Sequence, residues 1–340
     1  MPFAAATSHH PVTAHATGEV LGHVLEHLGR HPDLVMLSAS SGHAGALEDV
    51  AGTIEHVLSP TVLVGATSGG PAPSLSLWAA VVGAVAPLRI GDGQVGLPPW
   101  PLNAIVVLAT RHVDVDGWLV EIERSHPGVP TYGTVLGGPS TPVLLLGDRR
   151  FSDGGVAVAF GPGAASSGRV VPVGRPVGAP LEVTRADGRL IYELDGVPAL
   201  ERLTRVARDE MPAADVHLLN ESLHLGSSVA DPFPLRGVLG ADRVTGALAL
   251  EDGEPVGTSG QFFVREVGWD RLEESAPAAE AALVFADGES GALAGALGGQ
   301  WRDVAWTGWQ GVGAIGPVKG RTGRHPLSVS LALFGEMNNR

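Results

Sequence analysis

Histidine is the most chemically versatile residue type in this 340-residue chain, which carries 13 histidines and no cysteine. His23, His27 and His31 recur at i, i+4 and i+8, a spacing that sets three imidazoles on one helix face, as metal or haem ligation requires. Val20, Leu21, Val24, Leu25 and Leu28 occupy the other face, so the histidine side is expected to be solvated. His9, His10 and His15 precede that helix in a Ser/Thr-rich tail expected to be disordered. His43 follows the first apolar run, in Ser40-Ser41-Gly42-His43, where a strand-to-helix crossover presents its binding loop. His325 precedes the last strand and would face His43 if the first and last parts of the chain pair in space.

Other chemistry is sparser. Ser68, in Thr67-Ser68-Gly69, has no nucleophile elbow around it and no partner assignable from spacing. Asp114 and Asp116 are spaced as paired carboxylates, but the start of a helix over Gly117–Glu123 makes capping the better reading. Glycine clusters supply the remaining candidates: Gly65-x-x-x-Gly69-Gly70, Gly137-Gly138 and Gly308-x-x-Gly311-x-Gly313-x-x-Gly316. Glycines after a strand let backbone N–H groups approach a ligand. None of the three is a Walker loop, and the two longer clusters run into strands where a dinucleotide fingerprint runs into a helix. They read first as tight turns and packing points, and second as small-ligand contacts. Trp306 and Trp309 flank the third cluster, as core or as an aromatic pocket wall.

The elements that must position these groups repeat. Asp33–Ala39, a helix over Ala44–Leu58 and Thr61–Val64 form strand, helix and strand, ending in the first glycine cluster. Ala104–Ala109, a helix to about Ser125 and a strand from Pro130 form a second copy. Ala282–Ala286, a helix over Ser290–Leu297 and Asp303–Thr307 form a third. Long strands over Leu75–Val85 and Leu327–Phe334 follow the first and third copies. Hairpins are expected between Phe151 and Val156–Phe160, and around Asp187-Gly188, with a helix over Pro198–Arg208. Apolar runs without alternation indicate strands covered on both faces. The expected fold is α/β, with mixed sheets built from repeated βαβ-glycine-loop-β units, antiparallel hairpin additions, helices on the outer faces, and two interlocked domains.

Composition removes whole function classes. A hydrophobic share of 44% and a mean hydropathy of +0.19 suit a packed globular chain. Without cysteine there is no disulfide framework, thiolate metal site or thiol nucleophile. With 22 Lys+Arg against 36 Asp+Glu and no basic block, nucleic acid is excluded as a partner. The N-terminus lacks a secretory pattern, and the longest apolar stretch, Leu75–Leu88, contains Gly83 and Pro87 and is too short to span a bilayer. A cytoplasmic protein with no membrane partner is expected; its oligomeric state is not legible.

Several segments together resemble the FIST family. They are Asp33–Ser40, Val64–Gly70, Ser76–Ala80, Val183–Leu200, Val256–Glu266 and Ile315–Val318. The most specific is the run Ile191-Tyr-Glu-Leu-Asp-Gly-Val-Pro-Ala-Leu200. The resemblance implies a tail and helix over residues 1–32, a FIST N-type domain over 33–198 and a FIST C-type domain over 199–336. It also implies a sensory, non-catalytic ligand-binding role, for an amino acid or another small metabolite, with a separate signalling protein as partner. Some relatives are haem-dependent gas sensors, so haem on an axial histidine is an alternative, followed by a hydrolase using Ser68 or His325 and by a protein-interaction scaffold. Departures are visible. Val173-Gly174-Arg175-Pro176 and Ala286-Asp287-Gly288-Glu289 stand where relatives carry a cysteine, and Ala314 stands where many carry a glutamate. The expected ligand set is Ser41, His43, Thr67, Ser68, Gly69, Gly137, Gly138, Trp309, Gly311, Gly313 and His325.

Overall fold

The computed structural model describes residues 2–68, 72–91, 96–137, 141–164, 166–228, 232–251, 257–264, 279–288, 301 and 303–335. Its first elements are β1 (Phe3–Ser8), α1 (Thr13–Leu28), β2 (Leu34–Ser40), α2 (Leu47–Leu58), β3 (Val62–Ser68), β4 (Leu75–Ala80), β5 (Val85–Ile90), β6 (Ala104–Thr110), α3 (Val115–Ser125) and β7 (Thr131–Leu136). There follow β8 (Leu144–Leu146), β9 (Arg149–Phe151), β10 (Gly155–Phe160), β11 (Ser166–Pro172), β12 (Arg175–Asp187), β13 (Leu190–Leu194), β14 (Val197–Pro198), α4 (Ala199–Glu210) and α5 (Leu218–Ser222). The chain continues with β15 (His224–Gly226), β16 (Arg236–Ala241), β17 (Leu248–Leu250), β18 (Ser259–Val264), β19 (Ala281–Asp287), β20 (Ala305–Val318), β21 (Arg321–His325) and β22 (Ser328–Phe334).

Strand pairing carries the repeat read from the sequence. β2 and β3 are parallel, and β4 returns antiparallel on β2. β6 and β7 are parallel, and β10 returns on β6. β19 and β20 are parallel, and β22 returns on β19. Each copy is thus ordered return strand, first strand, second strand. The second and third copies join back to back where β20 pairs antiparallel with β7. One sheet runs β1-β4-β2-β3-β8-β9; the other runs β11-β22-β19-β20-β7-β6-β10-β5, with β21 beside β20. The expected third-copy helix over Ser290–Leu297 lies outside the described residues.

The chain divides into two compact units. Unit 1 comprises residues 1–171, 272–324 and 328–340. Its two sheets face one another across a core that includes Met36, Val64, Trp78, Val106, Val158, Phe285, Trp309 and Phe334. α1 and α2 cover the outer face of the first sheet, and α3 that of the second. Strands covered on both faces need apolar side chains at successive positions, which is why β2, β6 and β19 read as unbroken apolar runs. A polar seam crosses the inter-sheet core. Ser38 Oγ donates to Gly308 O at 2.9 Å, Trp78 Nε1 to Ala305 O at 2.9 Å, and Thr307 Oγ1 to Ser76 Oγ at 2.9 Å. Each satisfies a group that would otherwise be buried without a partner.

Unit 2 comprises residues 172–271 and 325–327. Its strands run β12-β18-β15-β16-β17-β13-β14, and β12 also pairs β13, so the first six close into an antiparallel ring. Leu181, Ile191, Leu225, Leu248 and Phe262 form its core together with Val206 of α4. The Asp187-Gly188 hairpin turn is in place, with Asp187 opposite Leu190.

Four local expectations are corrected. The segment before the first helix is no disordered tail: Phe3–Ser8 pairs with β4, Phe3 packs on Trp78 with ring centroids 5.7 Å apart, and His15 lies inside α1. The expected strand Leu75–Val85 breaks, because Asp33 Oδ2 accepts from Val82 N and Gly83 N and turns the chain toward the other sheet. The expected Phe151/Val156 hairpin does not form; β9 pairs β8 in the first sheet, while β10 pairs β6 and β5 in the second. Finally, Gly308–Gly316 is no loop: it lies within the long strand β20. Its glycines answer to packing. A Cβ on Gly311 would sit 2.1 Å from Val135 O, and Gly313, with φ +130°, lies where the β20/β7 register shifts.

Candidate functional site at the first crossover

β1, β2 and β3 run in one direction in the first sheet, and α1 and α2 connect them in turn. Both helices therefore begin at the end of the sheet where those strands finish. This is the end at which open α/β sheets place ligands. Two hydroxyls anchor it. Ser40 Oγ accepts from Ser74 N at 3.0 Å, and Ser40 N donates to Ser74 O at 2.8 Å. Thr67 Oγ1 accepts from Val143 N, and Thr67 N donates to Val143 O, both at 2.8 Å. Each clamp holds the segment entering the neighbouring strand.

Between these anchors, the 3-10 turn Ser41–Ala46 carries His43, which is 1% exposed. Its Nδ1 lies 2.9 Å from Thr13 Oγ1, at the first residue of α1. Its Nε2 is buried and has no hydrogen-bond partner among the described residues. Burial holds this imidazole below its ordinary pKa and so keeps it neutral. The Val12 cap of α1 and the Ala46 cap of α2 make no side-chain hydrogen bond, and only α2 has acidic residues in its first turn, Glu48 and Asp49. The N-terminus of α1 thus carries the helix's partial positive charge with no side-chain cap from Val12 and no acidic residue in its first turn. Beside it a groove of about 300 Å³ is lined by Thr13, Thr17, Gly18, Ala46, Asp49 and Thr53, among others.

The structure groups only part of the expected ligand set. Ser41, His43, Thr67 and Ser68 lie at the ends of β2 and β3. Gly137 follows β7 at the end of the second crossover; a Cβ there would meet Val312 Cγ1 at 2.7 Å and the Arg111 guanidinium at 3.0 Å. Gly311 is close by, opposite Leu136. Trp309 is fully buried and stacks on Phe285, with ring centroids 5.6 Å apart and planes 13° from parallel. His325, in unit 2, packs edge-on against Phe233 at 5.1 Å. Gly69 and Gly138 lie outside the described residues. Thr13 was not singled out by sequence reasoning. The signal for it, a hydroxyl at a helix start, only gains meaning once β1 and β2 are known to flank β4. Asp114 caps α3, its Oδ1 accepting from Gly117 N at 2.9 Å, as the spacing implied.

Haem, implied by the resemblance, requires an apolar cleft with an axial imidazole. Neither the α1/α2 groove nor a cavity of about 230 Å³ at Leu225, Ser227, Arg236 and Ser259 has histidine in its lining, so neither fits haem. Among the described residues there is no group of three or more His, Asp or Glu placed to hold a metal ion. No helix among them is long and apolar enough to cross a membrane.

Comparison with known proteins finds relatives that align with nearly the whole chain. An uncharacterized protein of Mycobacterium bovis is 29% identical over 379 aligned positions, covering 95% of this chain and 96% of its own length. An uncharacterized protein of Mycobacterium tuberculosis is 28% identical over 386 positions, covering 95% of this chain and 97% of its own. Residues 33–197 match the family model described as the FIST N domain.

Proposed function

We propose that this chain is a cytoplasmic small-molecule-binding sensory protein of FIST type, with a FIST C-type domain following the matched region. The ligand is a small polar metabolite such as an amino acid, held at the first crossover. The observation that carries this reading is His43 Nε2, buried without a partner in an imidazole held neutral. Leaving such a group unpaired costs about 1–3 kcal/mol, which a ligand hydroxyl, amine or carboxylate admitted by movement of the Ser41–Ala46 turn would recover. The uncapped N-terminus of α1 favours a carboxylate beside it. The role proposed is binding, with signal transfer to a separate protein.

Thermal denaturation of the wild type and of His43→Phe against a panel of amino acids and organic acids tests the site. A ligand at 100 times its Kd adds about 2.7 kcal/mol of stability. The expected result is a shift for at least one compound in the wild type that His43→Phe loses. Absence of any shift would overturn the binding role; a shift that His43→Phe retains would overturn the site.

A further inference from the structure

α1 carries a second group of imidazoles that the proposed binding site does not use. His23 and His27 lie one helical turn apart, both exposed, with ring centroids 4.0 Å apart and planes at 24°. His27 Nδ1 is 2.9 Å from the carbonyl oxygen of His23. A carbonyl only accepts, so Nδ1 must carry the proton, and the Nε2 lone pair is left facing outward. An Nδ1–H bonded to a backbone carbonyl is the arrangement that fixes a metal-ligating histidine in its working tautomer. Among the described residues no hydrogen bond ties the His23 ring, which can turn its own nitrogen toward the same point.

We propose that His23 and His27 form a two-imidazole site for a borderline divalent transition ion, Zn2+, Ni2+ or Cu2+, on the exposed face of α1. Imidazole nitrogen suits these ions and does not suit Mg2+ or Ca2+, which take oxygen ligands. Water would complete the coordination shell. The ion would bridge two turns of a helix whose N-terminus lacks a side-chain cap, so binding should stabilise α1 against fraying.

The test uses the untagged full chain, with Zn2+ as probe and Mg2+ as control, read by calorimetric titration and by thermal denaturation. One equivalent of Zn2+ is expected to bind and to raise Tm, with no effect of Mg2+. His23→Ala and His27→Ala should each weaken Zn2+ binding by about tenfold or more, while His31→Ala should leave it unchanged. Both positions are exposed, so the variants should keep the wild-type melting curve without metal, which separates lost ligation from lost folding. Unchanged Zn2+ affinity in the double variant, or no Zn2+ binding by the wild type, would overturn the proposal.

Discussion

An imidazole with one nitrogen bonded and the other sealed from water resists protonation, because the added charge would have to be desolvated. His43 is in that position, and its folded-state pKa lies below the ordinary 6.5. Above that value the ring is neutral whether the chain is folded or not, and its contribution to stability is fully present. As pH falls through 6.5 and toward the folded pKa, the unfolded chain takes up a proton that the folded chain refuses, and stability is lost. Urea denaturation at pH 7.5 and at pH 5.0 should therefore show a smaller acid-induced loss in His43→Gln than in the wild type. His23, whose pKa is also lowered, keeps titrating in the variant, so the slope should shrink without vanishing. An unchanged slope would mean that protons reach His43 freely.

At the scale of elements, β20 is where local signal and tertiary outcome part company. Four glycines between Gly308 and Gly316 read as a turn, because glycine is disfavoured in strands and common in loops. The strand keeps Gly308 and Gly311 because neighbouring backbone approaches too closely for a side chain, whereas at Gly313 and Gly316 an added Cβ would meet the side chains of Arg324 and of Val170 and Ser330. A Cβ on Gly311 would lie 2.1 Å from Val135 O and 2.3 Å from Thr134 Oγ1. Gly311→Ala should cost at least about 3 kcal/mol, since main chain rather than a mobile side chain must move. Gly52→Ala in α2, where nothing lies within 4 Å of the added Cβ, should instead be neutral or stabilising by up to about 1 kcal/mol. Chemical denaturation of the two variants side by side measures the contrast. By comparison α3 was legible locally, because its cap Asp114 and capped Gly117 are three residues apart.

For the whole molecule, the bounds of the region matched by the family model cut through both sheets of unit 1. Residues 33–197 omit β1, which borders β4, and β19, β20 and β22, which continue the second sheet beyond β7. A fragment cut to those bounds would expose one edge of β7 and leave Trp78 Nε1 and Ser38 Oγ without their acceptors on β20. It should be poorly soluble, or lack a cooperative thermal transition by circular dichroism, where the full chain unfolds cooperatively. A sharp transition in the fragment would show that the N-terminal strands suffice.

What the amino-acid order alone determined is whatever depends on neighbours in sequence. The three parallel strand pairs, the helices that join the strands of the first two, the apolar runs that demand cover on both faces, the solvated face of α1, the cap of α3 and the Asp187-Gly188 turn all follow from periodicity and short-range hydrogen bonding. Tertiary structure alone decided which copies share a sheet, the closure of β12 onto β13, the pairing of Phe3–Ser8 with β4 and the burial of Trp309 on Phe285. These outcomes depend on pairings between residues up to hundreds of positions apart, for which no local pattern is a proxy. His43 spans both kinds of information. Its place after the first strand was readable, but its isolation from water required α1 to bring Thr13 against it.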